Sequence, residues 1–128
     1  MKNSAVFFSL MVFLAISPSI YADTECQIGS RCAIAKDDGD IVSYRVNKDL
    51  GNDFNCMVLS DGNETRVKVY GDSQFLISPI YEYSAQPNVI FNVHGEYNFV
   101  ANYGYFNIKK VGGVSGKVIC GRGLLAQK

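Results

Sequence analysis

The side chains best suited to chemistry in this 128-residue chain are one imidazole, His94, and four thiols, Cys26, Cys32, Cys56 and Cys120. An imidazole titrates near neutral pH and serves as a base, an acid or a ligand. His94 stands in Val93-His94-Gly95-Glu96, and a serine–histidine–acid triad there would need a nucleophile held against it. No G-x-S-x-G elbow is present. Glu82 and Glu96 are the carboxylates a small hydrolase would use, yet nothing local sets their environments apart, as acid and base roles require. The glycine-rich stretch Gly112–Lys117 lacks the G-x-x-x-x-G-K-[ST] register and precedes an expected strand, so it does not read as a phosphate loop. Asp37-Asp38-Gly39-Asp40 gathers three carboxylates, but without the alternating acids and distal Glu of a calcium loop it reads as a solvated turn. These residues predict no enzyme, no metal site and no cofactor.

The cysteines have a different use. An even number of them in a small exported domain points to disulfides. The absence of any C-x-x-C pair, with one His in the chain, argues against zinc. The expected pairs are Cys26–Cys32, closing a small loop, and Cys56–Cys120, tying an early strand to the last one. In that state no thiolate is left for nucleophilic work.

With chemistry disfavoured, the most distinctive stretch is Tyr97-Asn98-Phe99-Val100-Ala101-Asn102-Tyr103-Gly104-Tyr105-Phe106-Asn107. If extended, Tyr97, Phe99, Tyr103 and Tyr105 share one face. Tyrosine joins a large apolar body to a hydrogen-bonding tip, which suits contact with a protein or a sugar. Asn102 to Gly104 reads as a turn that exposes Tyr103 and Tyr105. The candidate binding residues are therefore Tyr97, Asn102, Tyr103 and Tyr105, together with the adjoining basic pair Lys109 and Lys110.

The elements that must position these residues are strands. From residue 41 onward, short runs of Val, Ile, Tyr and Phe alternate with Gly, Asn and Asp at roughly ten-residue intervals, the pattern of an all-β domain. Strands are expected near residues 41–47, 54–60, 65–70, 74–81, 88–93, 97–101, 105–111 and 115–120. Asp61-Gly62-Asn63, Gly95 and Gly112-Gly113 read as hairpin tips. Pro79 and Pro87 mark residues 78–86 as an edge or a crossover. The expectation is a small antiparallel β-sandwich or closed β-barrel of about seven or eight strands, stapled by disulfides.

Residues 1–22 read as a cleaved signal peptide. Lys2 is followed by an apolar run from Ala5 to Ile16 and a turn-prone segment ending in Ala22. The run is too short to remain as a span, and nothing downstream is long enough to be one. Residues 23–128 then form a single all-β domain, secreted or periplasmic. Its charge is uneven: residues 23–96 carry 12 acidic and six basic side chains, while residues 97–128 carry five basic and no acidic ones. In a sheet the two halves lie side by side and neutralise one another, and the near-neutral total argues against nucleic acid. The sequence thus favours an exported, soluble, non-enzymatic binding domain for a protein or glycan surface. The alternatives are a small secreted hydrolase using carboxylates or His94, and an effector that carries its basic end to anionic membranes.

Overall fold

The computed structural model describes residues 23–34 and 38–123; the expected signal segment and Asp37 lie outside the described residues. The chain runs through β1 (Asp23–Cys26), β2 (Arg31–Ile34), β3 (Ile41–Asn47), a 3-10 turn (Lys48–Leu50), β4 (Asp53–Ser60) and β5 (Thr65–Gly71). It continues through β6 (Phe75–Leu76), β7 (Tyr81–Ala85), β8 (Asn88–His94), β9 (Glu96–Tyr97), β10 (Tyr103–Gly113) and β11 (Gly116–Gly121). Two sheets form the body, ordered β1-β3-β10-β5-β7 and β2-β11-β4-β8, and β6 pairs with β9 in a small third sheet. This is a sandwich. The sheets are open at their edges, so the closed-barrel alternative is set aside.

Alternation builds the core. Val42, Tyr44 and Val46 of β3, Phe106 and Ile108 of β10, and Val67 and Val69 of β5 point inward from one sheet. Phe54, Cys56 and Val58 of β4, Phe91 and Val93 of β8, and Val118 and Cys120 of β11 meet them from the other. Burying each large apolar side chain contributes about 1.5–3 kcal/mol. Tyr44 is buried with its phenol donating toward the carbonyls of Ser30 and Val118, 3.2 Å from each, which ties β3 to the opposite sheet. Burial pushes that phenol's pKa far above its usual value. At one end Phe75 plugs the sandwich against Phe54, Tyr97 and Phe106. The plug fits because Gly95 leaves room: a Cβ there would sit 2.3 Å from the Phe75 ring.

Cys26 is bonded to Cys32 and Cys56 to Cys120. The first bridge joins β1 of one sheet to β2 of the other. The second links directly opposed residues of neighbouring strands, with Cα atoms 4.0 Å apart.

The turns do not make the expected hairpins. Asp61-Gly62-Asn63 carries the chain from β4 in one sheet to β5 in the other, and Gly113 with Val114 and Ser115 carries it from β10 to β11 in the same way. Gly95 leads from β8 to β9, which pairs with β6. Among the described residues no two consecutive strands pair with each other, and β1 runs parallel to β3. Turn residues report that the chain reverses; which sheet it re-enters is decided by distant partners.

Candidate functional site

Strand β10 lies at the centre of the five-stranded sheet, between β3 and β5. Because Phe106 and Ile108 face the core, the period of two turns Tyr103, Tyr105, Asn107 and Lys109 to the outer face. Tyr105 lies opposite Arg45, Tyr103 opposite Asn47, and Asn107 between Ser43 and Tyr70. The two tyrosine rings meet edge to face with centroids 6.4 Å apart, and the Arg45 guanidinium lies 4.3 Å from the Tyr103 centroid. Aromatic pairing and cation–π stacking both hold rings in place. Ser43 Oγ donates to Asn107 Oδ1 at 2.6 Å, and the Tyr105 phenol donates to Glu25 Oε1 at 3.4 Å. Partial desolvation, with Glu25 adding to it, raises the Tyr105 pKa, so its hydroxyl remains a donor at neutral pH.

Two shallow hollows flank the tyrosine pair. One, of about 340 Å³, is lined by Glu25, Ser43, Asp72, Tyr105 and Asn107. The other, of about 320 Å³, is lined by Arg45, Asn47, Lys48, Asp49, Asn102 and Tyr103. The first sets a ring beside two carboxylates, a hydroxyl and an amide, and the second sets a ring beside amides and charges of both signs. Sequence reasoning missed Arg45, Ser43, Asp72 and Glu25, which come from β1, β3 and the loop after β5 and join the tyrosines only through the sheet register.

Of the expected binding residues, Tyr103, Tyr105, Asn102 and Lys109 border this face, and two do not. Lys110 is a correction. Its side chain is 1% exposed and lies on the core side, with Nζ 2.5 Å from Asp38 Oδ1. Counting by two from Phe106 and Ile108 assigns it inward, a signal that its charge obscures. Asp38 is therefore the partner of a buried cation as well as part of a turn, and the Gly39 N–H donates to the Lys110 carbonyl. Tyr97 is the second correction. Its strand is β9, not a continuation of β10, because the Asn98 side chain accepts from the Val100 N–H and turns the chain between them. The Tyr97 ring packs 4.8 Å from Phe75, and its hydroxyl donates toward the Asn47 and Gly51 carbonyls at 2.7 and 2.8 Å.

That turn has another product. Phe99 and Val100 project from it 94% and 76% exposed. Hydrogen bonds from Asn98 N–H to Gln74, from Ala101 N–H to Asn98 and from Lys48 N–H to Asn102 hold its base.

His94 lies in a carboxylate clamp on the surface. Its Nδ1 is 2.6 Å from Asp53 Oδ1 and its Nε2 is 3.5 Å from Glu96 Oε2. The Asp53 hydrogen bond, with Glu96 adding to it, raises the imidazole pKa above its usual value. A carboxylate beside each ring nitrogen favours the protonated ring, whereas a general base works from the neutral one. Glu82, the other expected carboxylate, is on β7 opposite Lys68. Among the described residues no group of three or more His, Cys, Asp or Glu is placed to hold a metal ion. No described helix is long and apolar enough to cross a membrane.

No family model matches the chain, and no curated protein matches it. Among solved structures, the chain is similar to the pre-peptidase C-terminal domain of a collagenase from Bacillus anthracis. The identity is 14% and the TM-score 0.45, over 78% of this chain and 95% of that one. The functional reading rests on the site itself.

Proposed function

We propose that this chain is an exported, disulfide-braced binding domain, not an enzyme, and that it recognises a glycan through the outer face of the five-stranded sheet. The observation that carries the reading is the Tyr103–Tyr105 pair, held at 6.4 Å on the central strand with a shallow hollow beside each ring. A sugar presents an apolar C–H face and a rim of hydroxyls. Rings beside carboxylates, amides and a guanidinium offer the complement to both. Because the rings stand on a paired, central strand, little side-chain freedom remains to be lost on binding. Two disulfides fit an oxidising compartment outside the cytosol.

The basic end gives less support to an anionic membrane or nucleic acid. Lys110 points inward, Lys117 Nζ lies 3.2 Å from Asp61 Oδ1, and Lys109 is flanked by Lys68, itself opposite Glu82. One observation favours a second reading, a protein partner: the Phe99–Val100 projection is the kind of apolar anchor that fills a pocket.

A glycan array followed by calorimetry on the best ligand tests the proposal. Tyr103→Ala and Tyr105→Ala should each weaken binding by about ten- to a hundredfold while Phe99→Ser leaves it intact. Loss of binding with Phe99→Ser alone assigns recognition to the loop and a protein partner. A large fall in melting temperature with the tyrosine variants, and no change in affinity per folded molecule, removes the reading.

A further inference from the structure

Among the described residues the sandwich has four edge strands, β1 and β7 in one sheet and β2 and β8 in the other. An edge offers a row of unpaired N–H and C=O groups, and proteins guard such rows with charge, proline, bulges or brevity. Three of these edges are guarded. β1 and β2 are four residues each, bearing Glu25 and Arg31, respectively. β7 is five residues, bears Glu82 and has Pro79 and Pro87 close to either end. β8 is different: seven residues, Asn-Val-Ile-Phe-Asn-Val-His, with no Asp, Glu, Lys, Arg or Pro and no register shift against β4.

The direction of its backbone groups follows from its two ends. The Ser60 N–H donates to Pro87 O at 2.6 Å and the Gly95 N–H to Asn52 O at 3.0 Å, and both pairs belong to the β4–β8 register. Alternation then turns Val89, Phe91 and Val93 toward β4, and turns the N–H and C=O of Asn88, Ile90, Asn92 and His94 outward. That open edge borders a cleft of about 580 Å³ floored by Val69, Ile77, Phe91 and Val93. Tyr81 and Ile90 line its mouth, 48% and 38% exposed, and Ile80 beside them is 54% exposed.

We propose that β8 pairs antiparallel with β8 of a second copy of this chain, joining two four-stranded sheets into one of eight strands. The strand is self-complementary for this purpose. With a two-fold axis at Phe91, Asn88 falls opposite the second copy's His94 and Ile90 opposite its Asn92, so every outward donor meets an acceptor. Val89 meets the second copy's Val93, and Phe91 meets its own counterpart. No pairing along the strand sets two carboxylates or two Lys or Arg side chains against each other, and the formal net charge of +0 for the whole chain offers no general repulsion. Pairing would also cover the apolar mouth of the cleft, whereas a monomer leaves it in water. An axis normal to the sheet keeps each outer face on its own side. Both five-stranded sheets then look the same way. If the tyrosine face is the binding face, the dimer is bivalent toward one surface; the pairing itself does not depend on that reading.

The test is sedimentation equilibrium across a concentration series of the disulfide-intact protein, with amide hydrogen exchange at the two extremes. The expected result is a mass rising from one copy to two, and exchange at Asn88, Ile90 and Asn92 that slows as concentration rises. Ile90→Pro deletes an outward N–H and should leave a folded monomer. Ile90→Lys sets a charge on the edge and serves the same purpose if the proline variant does not fold. A monomer at every concentration, a dimer unaffected by Ile90→Lys, or exchange at these amides independent of concentration overturns the proposal. So does a monomer that binds a synthetic peptide through this edge, since the edge would then belong to a foreign strand.

Discussion

Removing the carboxylate of Asp38 should be felt at the far end of Lys110. The ammonium is carried on a side chain 1% exposed, on the core side of the most central strand, with the Asp38 carboxylate 2.5 Å away. Breaking a fully buried ion pair by deleting one partner costs about 3–5 kcal/mol, because the remaining charge has nothing to offset its desolvation. Asp38 is itself 64% exposed, so water reaches that end of the pair, and the cost for Asp38→Asn is reduced to about 1–3 kcal/mol. Lys110→Met keeps the apolar stem and removes the charge; it should lie within about 1 kcal/mol of the parent or be more stable. In the double variant the Asp38 change should then cost almost nothing. Equilibrium urea unfolding of the four proteins measures this cycle, with an unchanged slope as the sign that the same fold is being compared. If Asp38→Asn shifts stability by less than about 0.5 kcal/mol, or costs as much with Met at 110 as with Lys, the carboxylate is not what holds the buried cation and the reasoning fails.

Three other outcomes are expected. Reduction of Cys56–Cys120 by paired Ala substitution should cost about 4 kcal/mol on the chain-entropy account, against about 2 kcal/mol for Cys26–Cys32, because the closed loops span 64 and 6 residues; guanidinium unfolding that reverses this order contradicts the account. The His94 resonance should titrate above its ordinary value, and Asp53→Asn should lower it, since the Asp53 hydrogen bond is the largest cause of the shift. A folded-state pKa raised above the unfolded one stabilises fully below about pH 6.5, and that contribution is lost as pH rises through the raised value; a melting temperature that rises with pH across this window, in a manner absent from His94→Ala, contradicts the assignment.

Local pattern made much of this molecule legible. Val67 and Val69 alternating with Arg66 and Lys68 define β5, and Phe54, Cys56 and Val58 define the inner face of β4, because a half-buried strand imposes a period of two. The same rule reaches Tyr103 and Tyr105. It could not reach Arg45, Ser43 and Glu25, whose place beside the tyrosines depends on a register between strands some sixty to eighty residues apart in the chain. β1 and β2 escaped notice because each is four residues long and held in place by a disulfide and a distant strand more than by its own alternation. Lys110 was obscured by its charge, since an amine is expected in water unless a partner is known, and Asp38 stands 72 positions away.

The order of strands has a bearing on when each sheet can close. The middle of one sheet is β10 and β11 lies between β2 and β4 in the other, so both central pieces come from the final quarter of the chain. Until those residues emerge from the ribosome, β3 and β5 lack the neighbour they share, and β2 has no strand to pair against. Long-range pairing of this sort is slow to form. Closure of both sheets therefore waits on β10 and β11, whose pairings reach back to β2, β3, β4 and β5.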